Sequence, residues 1–178
     1  VLAKISAAWA WAELTLAALL AVAISGLILL NVVTRSLGAA IYWTDELAIY
    51  AMVWMTFLAA SAALHHRQSI AVTIFRDYLP PRFRLPLAKA VDLVIFVFAC
   101  LMVWFCWRWF MPLDLLRAGF DVEAFQAETF NFIYAEPTTT LRIPKVWVWL
   151  VMWLFALGAL LHSVTNLLEP PGGTEPAK

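Results

Sequence analysis

Leu14 to Thr34 reads LTLAALLAVAISGLILLNVVT and contains no ionisable residue. Hydrocarbon offers no water to satisfy backbone N–H and C=O groups, so an isolated segment crosses a bilayer as a helix, and about 20 apolar residues suffice. Small residues at Ser36-Leu37-Gly38-Ala39-Ala40 follow the run as they would a secretion signal. The uncharged run is longer than a typical signal core, and a second apolar run begins at Leu47. It is read as a retained membrane span.

Three more stretches qualify. Leu47 to His66 is uncharged before its terminal histidines, and Val146 to Leu168 holds a single histidine and no charge. The third is interrupted: only fifteen uncharged residues separate Asp92 from Arg108. A span there runs from near Leu87 to near Phe110, with Lys89 and Arg108 reaching towards opposite interfaces. The expected fold is therefore all-α and integral to the membrane, one four-helix domain over 1–168 with spans at about 14–34, 47–66, 87–110 and 146–168. The whole composition agrees: of 178 residues, 64% are hydrophobic and 13% charged, and mean hydropathy is +0.84.

Twelve basic and twelve acidic residues give no net charge, which removes the field that gathers nucleic acid. Cys100 and Cys106 lie six residues apart in one apolar run, about 9 Å along a helix, and cannot pair with each other. With both termini cytoplasmic, seven basic residues fall inside (Lys4, Arg67, Arg76, Arg82, Arg84, Lys89, Lys178) and five outside (Arg35, Arg108, Arg117, Arg142, Lys145). Five of the seven crowd the connection between the second and third spans, and that density sets the orientation. Trp43, Trp104, Trp107, Trp109, Trp147 and Trp149 then form an outer aromatic belt.

Segment 68–79 separates on a helical wheel into an apolar side with Ile70, Ala71, Ile74, Phe75 and Tyr78 and a polar side with Gln68, Thr73, Arg76 and Asp77. It is too short to span and reads as an amphipathic interfacial helix, stopped by Pro80-Pro81. A weaker interfacial piece is expected around Trp9, Trp11 and Glu13. The outer loop 111–145, with Phe120, Phe125, Phe130, Phe132, Ile133 and Tyr134, either folds back on the bundle or forms a docking surface. Residues 169–178, with Pro170-Pro171-Gly172-Gly173, read as a disordered tail.

Candidate chemistry is sparse. Asn31 and Arg35 close the first span and Trp43-Thr44-Asp45-Glu46 opens the second. Thr44 suits an N-cap, and Asp45 and Glu46 suit the positive end of the helix dipole. Equally, Arg35 lies at the same membrane face, within reach for a salt bridge or a shared contact with another protein. Asp92, one turn inside the third span, has Lys89 as an i−3 partner, and no second intramembrane acid is expected to relay a proton. His65 or His66 together with His162 would be needed to ligate a haem iron between helices, which leaves a haem-bearing electron-transfer anchor as the alternative function. No nucleophile set, phosphate loop or catalytic metal grouping is visible, and no enzyme is read.

The order Asn31-Val32-Val33-Thr34-Arg35, Trp43-Thr44-Asp45-Glu46-Leu47, Ala59-Ala60-Ser61-Ala62-Ala63 and His65-His66-Arg67, followed by Leu141-Arg142-Ile143-Pro144 with Trp147, resembles the small membrane (Q-type) subunit of tripartite ATP-independent periplasmic transporters. Ser69 stands where that family commonly has a histidine, and Thr73 where an acid is often found. The resemblance implies a non-catalytic subunit in a bacterial inner membrane. A large multi-span transport subunit would carry substrate and sodium ions, so no cofactor or metal is expected on this chain. A periplasmic substrate-binding protein would deliver an organic acid. The expected subunit-interface residues are Arg35, Trp43, Asp45 and Glu46 at the outer end and His66 and Arg67 at the inner end. Small residues Gly26, Ala59, Ala60, Ser61 and Gly158 would permit close packing on the partner.

Overall fold

A computed structural model describes residues 1–67 and 80–169, Pro81 by its backbone alone. The described residues form six helices and no strand: α1 (Leu2–Ser36), α2 (Trp43–His65), α3 (Pro81–Phe110), α4 (Pro112–Arg117), α5 (Val122–Thr129) and α6 (Val146–Leu168). Four of them, α1, α2, α3 and α6, are long and apolar enough to cross a membrane. The amphipathic segment 68–79 and tail residues 170–178 lie outside the described residues.

The last span is the centre of the bundle. α1 packs mainly on α2, and α2 and α3 both pack on α6, which also meets α1. Half of the most apolar window of α6 is buried, against 22% or less in the other spans. Its inward face is built from small and β-branched residues, with Val151, Ala156 and Ala159 fully buried. Phe155 packs edge-on to Phe57 of α2 and Phe98 of α3, and Trp54 Nε1 donates to the Val148 carbonyl at 3.0 Å.

The first helix differs from expectation at its start. It is one unbroken element of 35 residues, about 52 Å long, with no separate interfacial piece around Trp9, Trp11 and Glu13. No proline occurs in it and its first glycine is Gly26, while Ala3, Ala7, Ala8, Ala10 and Ala12 are strong helix formers. What holds this extension on the bundle is a polar stripe: Ser6, Ala10, Glu13 and Ala17 are all buried. α2 and α3 also begin several residues before the expected spans, α3 with Pro81 at its first position, where no N–H is needed.

The segment 111–145 folds back on the bundle end. Met111, in the left-handed region at φ 44°, closes α3 and opens α4 on a single residue. Asp121 caps α5 by accepting the N–H groups of Glu123 and Ala124. Asn131 Nδ2 donates to the Trp109 carbonyl at 2.7 Å and Tyr134 Oη to the Phe110 carbonyl at 2.6 Å, so loop side chains satisfy the last carbonyls of α3. Phe125, fully buried, stacks edge-on against Tyr134. The apolar content of the loop is thus partly used to cover its own interior and the α3 terminus.

Candidate functional site

Among the described residues, three polar clusters punctuate the apolar bundle. The first joins α1, α2 and the loop between α5 and α6. Arg35 Nη2 pairs with Asp45 Oδ2 at 2.6 Å, Arg35 Nε donates to Asn31 Oδ1 at 2.9 Å, and Asn31 Nδ2 donates to Asp45 Oδ1. Only a short link separates the two helices, so the end of α1 and the first turn of α2 are clasped side by side. Glu46 turns the other way. Its carboxylate accepts the backbone N–H groups of Thr139 at 2.7 Å, Thr140 at 2.6 Å and Leu141 at 2.9 Å, the Thr140 hydroxyl and the Tyr50 hydroxyl.

Three successive amides converging on one anion make a backbone nest. The loop presents it because Arg142 sits at φ 56°, while Thr138 N and Ile143 O bond at 2.8 Å and Lys145 pairs with Glu136 across the loop base. Glu46 therefore fixes a loop of its own chain. Trp43 is 42% exposed beside this cluster.

The second cluster caps α6. Lys89 Nζ donates to the carbonyls of Asn166, Leu167 and Glu169 at 2.6–2.9 Å, and Arg67 Nη2 reaches the Asn166 carbonyl at 2.5 Å. Two cations on the orphan carbonyls at the negative end of a helix dipole are favourable on both counts. Asp92 joins them, with Arg67 at 3.1 Å and Lys89 at 3.9 Å. Lys89 is thus the longer contact, and the nearer partner of Asp92 comes from the end of another helix. Arg67 faces into the chain's own bundle, and His66 is exposed with its ring edge-on to His65.

The third cluster was not expected. Ser6 and Glu13 of α1 and His162 of α6 are buried, with His65 of α2 nearly so. Ser6 Oγ lies 2.8 Å from Nδ1 of both His65 and His162, His162 Nε2 lies 3.1 Å from Glu13 Oε2, and Trp9 Nε1 donates to Glu13 Oε1 at 2.8 Å. Glu13 is thus a second acid inside the helices, alongside Asp92, where one was not foreseen. Gly158 lies against the same group: a Cβ there would strike Ser61 Oγ, Glu13 Oε1 and Trp9 Nε1. Gly158 and Ser61 are therefore used for close approach within the chain, whereas Gly26 faces open space. The signal available in the sequence was the i, i+3, i+7 spacing of Ser6, Trp9 and Glu13 on one helical face.

A haem does not fit these histidines. Their ring centroids are 5.2 Å apart, both Nδ1 atoms converge on one hydroxyl, and His162 Nε2 already meets Glu13.

Residues 24–170 match the family described as tripartite ATP-independent periplasmic transporters, DctQ component. The chain belongs to this family. Among curated relatives of this DctQ protein, an isethionate TRAP transporter permease protein DctMQ from Oleidesulfovibrio alaskensis is 34% identical over 80 residues, 45% of the chain and 12% of the relative. A TRAP transporter small permease protein from Haemophilus influenzae is 30% identical over 82 residues, 46% of the chain and 51% of the relative. No solved structure matches the chain. The DctQ match spans α2, α3 and α6 and begins within α1, so it includes the Asn31–Arg35–Asp45 clasp, Glu46 and the α6 cap. This is a small permease subunit of a TRAP transporter, a multi-pass membrane protein.

Proposed function

We propose that this DctQ protein is the stationary, non-catalytic brace of a sodium-coupled, binding-protein-dependent transporter for organic acids. A large multi-span subunit moves substrate and sodium, a periplasmic binding protein delivers the acid, and the chain sits in the bacterial inner membrane with both termini cytoplasmic. The observation that carries the reading is the disposition of polarity. The polar groups inside the bundle bond mainly to one another, whereas the outward faces of α1 and α3 are apolar, including Leu19, Val22, Leu29, Val94, Val97 and Leu101. A sodium-coupled carrier uses broken helices around a polar midplane site. Here α1, α2 and α6 are continuous helices, which suits a rigid body rather than a path.

Two features of the relatives support the partner and cargo. The DctMQ relative is far longer than its matched stretch, leaving room for a transport subunit in the same polypeptide. Its named substrate, isethionate, is a small organic anion. Arg35, Trp43, Asp45 and Glu46 are assigned to the outer contacts, Asp45 and Glu46 through the loop and helix ends they hold in place, and His66 and Arg67 to the inner end. Lipid covers whatever apolar surface the partner leaves. Copurification tests the proposal: gentle solubilisation from the native membrane is expected to bring out a much larger hydrophobic protein with this chain. Isolation of the chain alone, or solute uptake by vesicles containing only this chain, overturns it.

A further inference from the structure

Hydrogen-bond counting around Ser6 constrains the protons of two histidines. A serine hydroxyl has one proton to donate. Ser6 Oγ lies 2.8 Å from Nδ1 of His65 and of His162 and can donate to only one of them, so the two Nδ1 atoms are never both bare. If both carried protons the Ser6 hydroxyl proton would have no acceptor in this cluster, so the arrangement that satisfies every donor has one Nδ1 protonated and one bare. His162 passes this constraint on through Nε2, which meets Glu13 Oε2, while the other carboxyl oxygen is held by the Trp9 indole.

Two arrangements keep every one of these bonds and also give the Ser6 proton an acceptor. In the first, His162 Nδ1–H donates to Ser6, Ser6 donates to His65 Nδ1, and one proton lies between Glu13 Oε2 and His162 Nε2. Whether that proton is nearer the oxygen or the nitrogen, the unit is neutral overall. In the second, the unit as a whole has lost one proton. His162 then carries its single N–H on Nε2 against the Glu13 carboxylate, Ser6 turns to donate to His162 Nδ1, and His65 donates from Nδ1. The arrangements differ by one proton, one negative charge and the direction of the whole chain. In an apolar interior the neutral arrangement avoids an uncompensated charge.

We infer that Glu13, His162, Ser6 and His65 form a buried proton-binding unit, in which the proton held between Glu13 and His162 sets the tautomer of His65 through the Ser6 hydroxyl. The other ionisable groups on the packed elements do not replace it. Lys4 on α1 is exposed, Arg67 and Lys89 bond Asp92 and the α6 carbonyls, and Glu169 lies beyond the end of α6. His66 is exposed, with its ring centroid 4.9 Å from that of His65, and forms no part of the unit.

The test uses the full chain in lipid nanodiscs with isotope-labelled histidine and glutamate and the His66→Gln substitution, leaving two labelled rings. Over an acid-to-alkaline titration, His65 is expected to change from the Nε2–H to the Nδ1–H tautomer in the same step in which the Glu13–His162 pair loses its proton. Ser6→Ala is expected to leave that proton loss in place while abolishing the change at His65. A His65 tautomer that stays constant through the step, or that changes equally in Ser6→Ala, overturns the proposal. If Ser6→Ala does not fold, two separate steps in the parent chain overturn it and a single shared step upholds it.

Discussion

The Glu46 carboxylate accepts the backbone N–H of Leu141 at 2.9 Å, linking the first turn of α2 to the loop just before α6. With Thr139 and Thr140 bound by the same acid, the turn at 139–141 is held by one side chain that its own sequence does not contain.

Glu46→Ala is therefore expected to free the amides of residues 139–141, raising their hydrogen-exchange rates by roughly tenfold or more, since hydrogen bonds to a charged acceptor are among the stronger ones. Glu123→Ala, at an exposed position in α5, leaves them unchanged. Transport or assembly is expected to suffer more from the first change than from the second. Equal exchange profiles would mean that the nest holds its shape unaided.

Two aspartates with arginine partners differ in burial, and that decides their worth. Asp45 and Arg35 have side chains 46% and 59% exposed, so Asp45→Ala costs about 0–1 kcal/mol. Asp92 is 4% exposed, and its removal takes away two charge-assisted contacts while Arg67 and Lys89 stay on the α6 carbonyls, at about 1–3 kcal/mol. Unfolding midpoints in one detergent, compared across the two variants, check the order.

Gly158→Ala places a methyl group among Ser61, Glu13 and Trp9, and overpacking of this kind costs about 1–3 kcal/mol. Gly26→Ala meets nothing within 4 Å and replaces a poor helix former, so the isolated chain is expected to keep or slightly gain stability. Loss of the large partner in copurification with Gly26→Ala, without loss of stability, would locate the contact on that face of α1.

Burial pushes the Tyr134 phenol above its ordinary 10.0, because the neutral hydroxyl is the form that fits beside the Phe110 carbonyl. The stabilisation it supplies is complete below the unfolded value and is lost as pH rises through the raised one. Loop stability, followed by fluorescence of the neighbouring tryptophans in alkaline solution, is expected to lose this step in Tyr134→Phe.

The spans were legible because a bilayer imposes a length and a composition that no other constraint mimics. Arg35 and Asp45 were legible as a pair because a short link leaves them little freedom. Glu46 was visible as a helix-dipole residue, but its loop lies more than ninety residues away, and no local pattern encodes that pairing. The cluster of Ser6, Glu13, His65 and His162 was hidden for the same reason: each residue alone resembles an interfacial polar side chain, and only helix packing makes them neighbours. Lys89 drew attention as the partner of Asp92 through its i+3 spacing, whereas Arg67 needed the third dimension.

The helix on which the others pack follows them in the chain. Until Val146–Leu168 emerges from the ribosome, Glu13 lacks its imidazole, and Lys89 lacks the carbonyls it will cap. The nascent chain must therefore hold polar side chains in an unfinished state while the three earlier spans are already in the lipid, and a ribosome stalled before α6 would leave an intermediate that quality-control proteases can recognise.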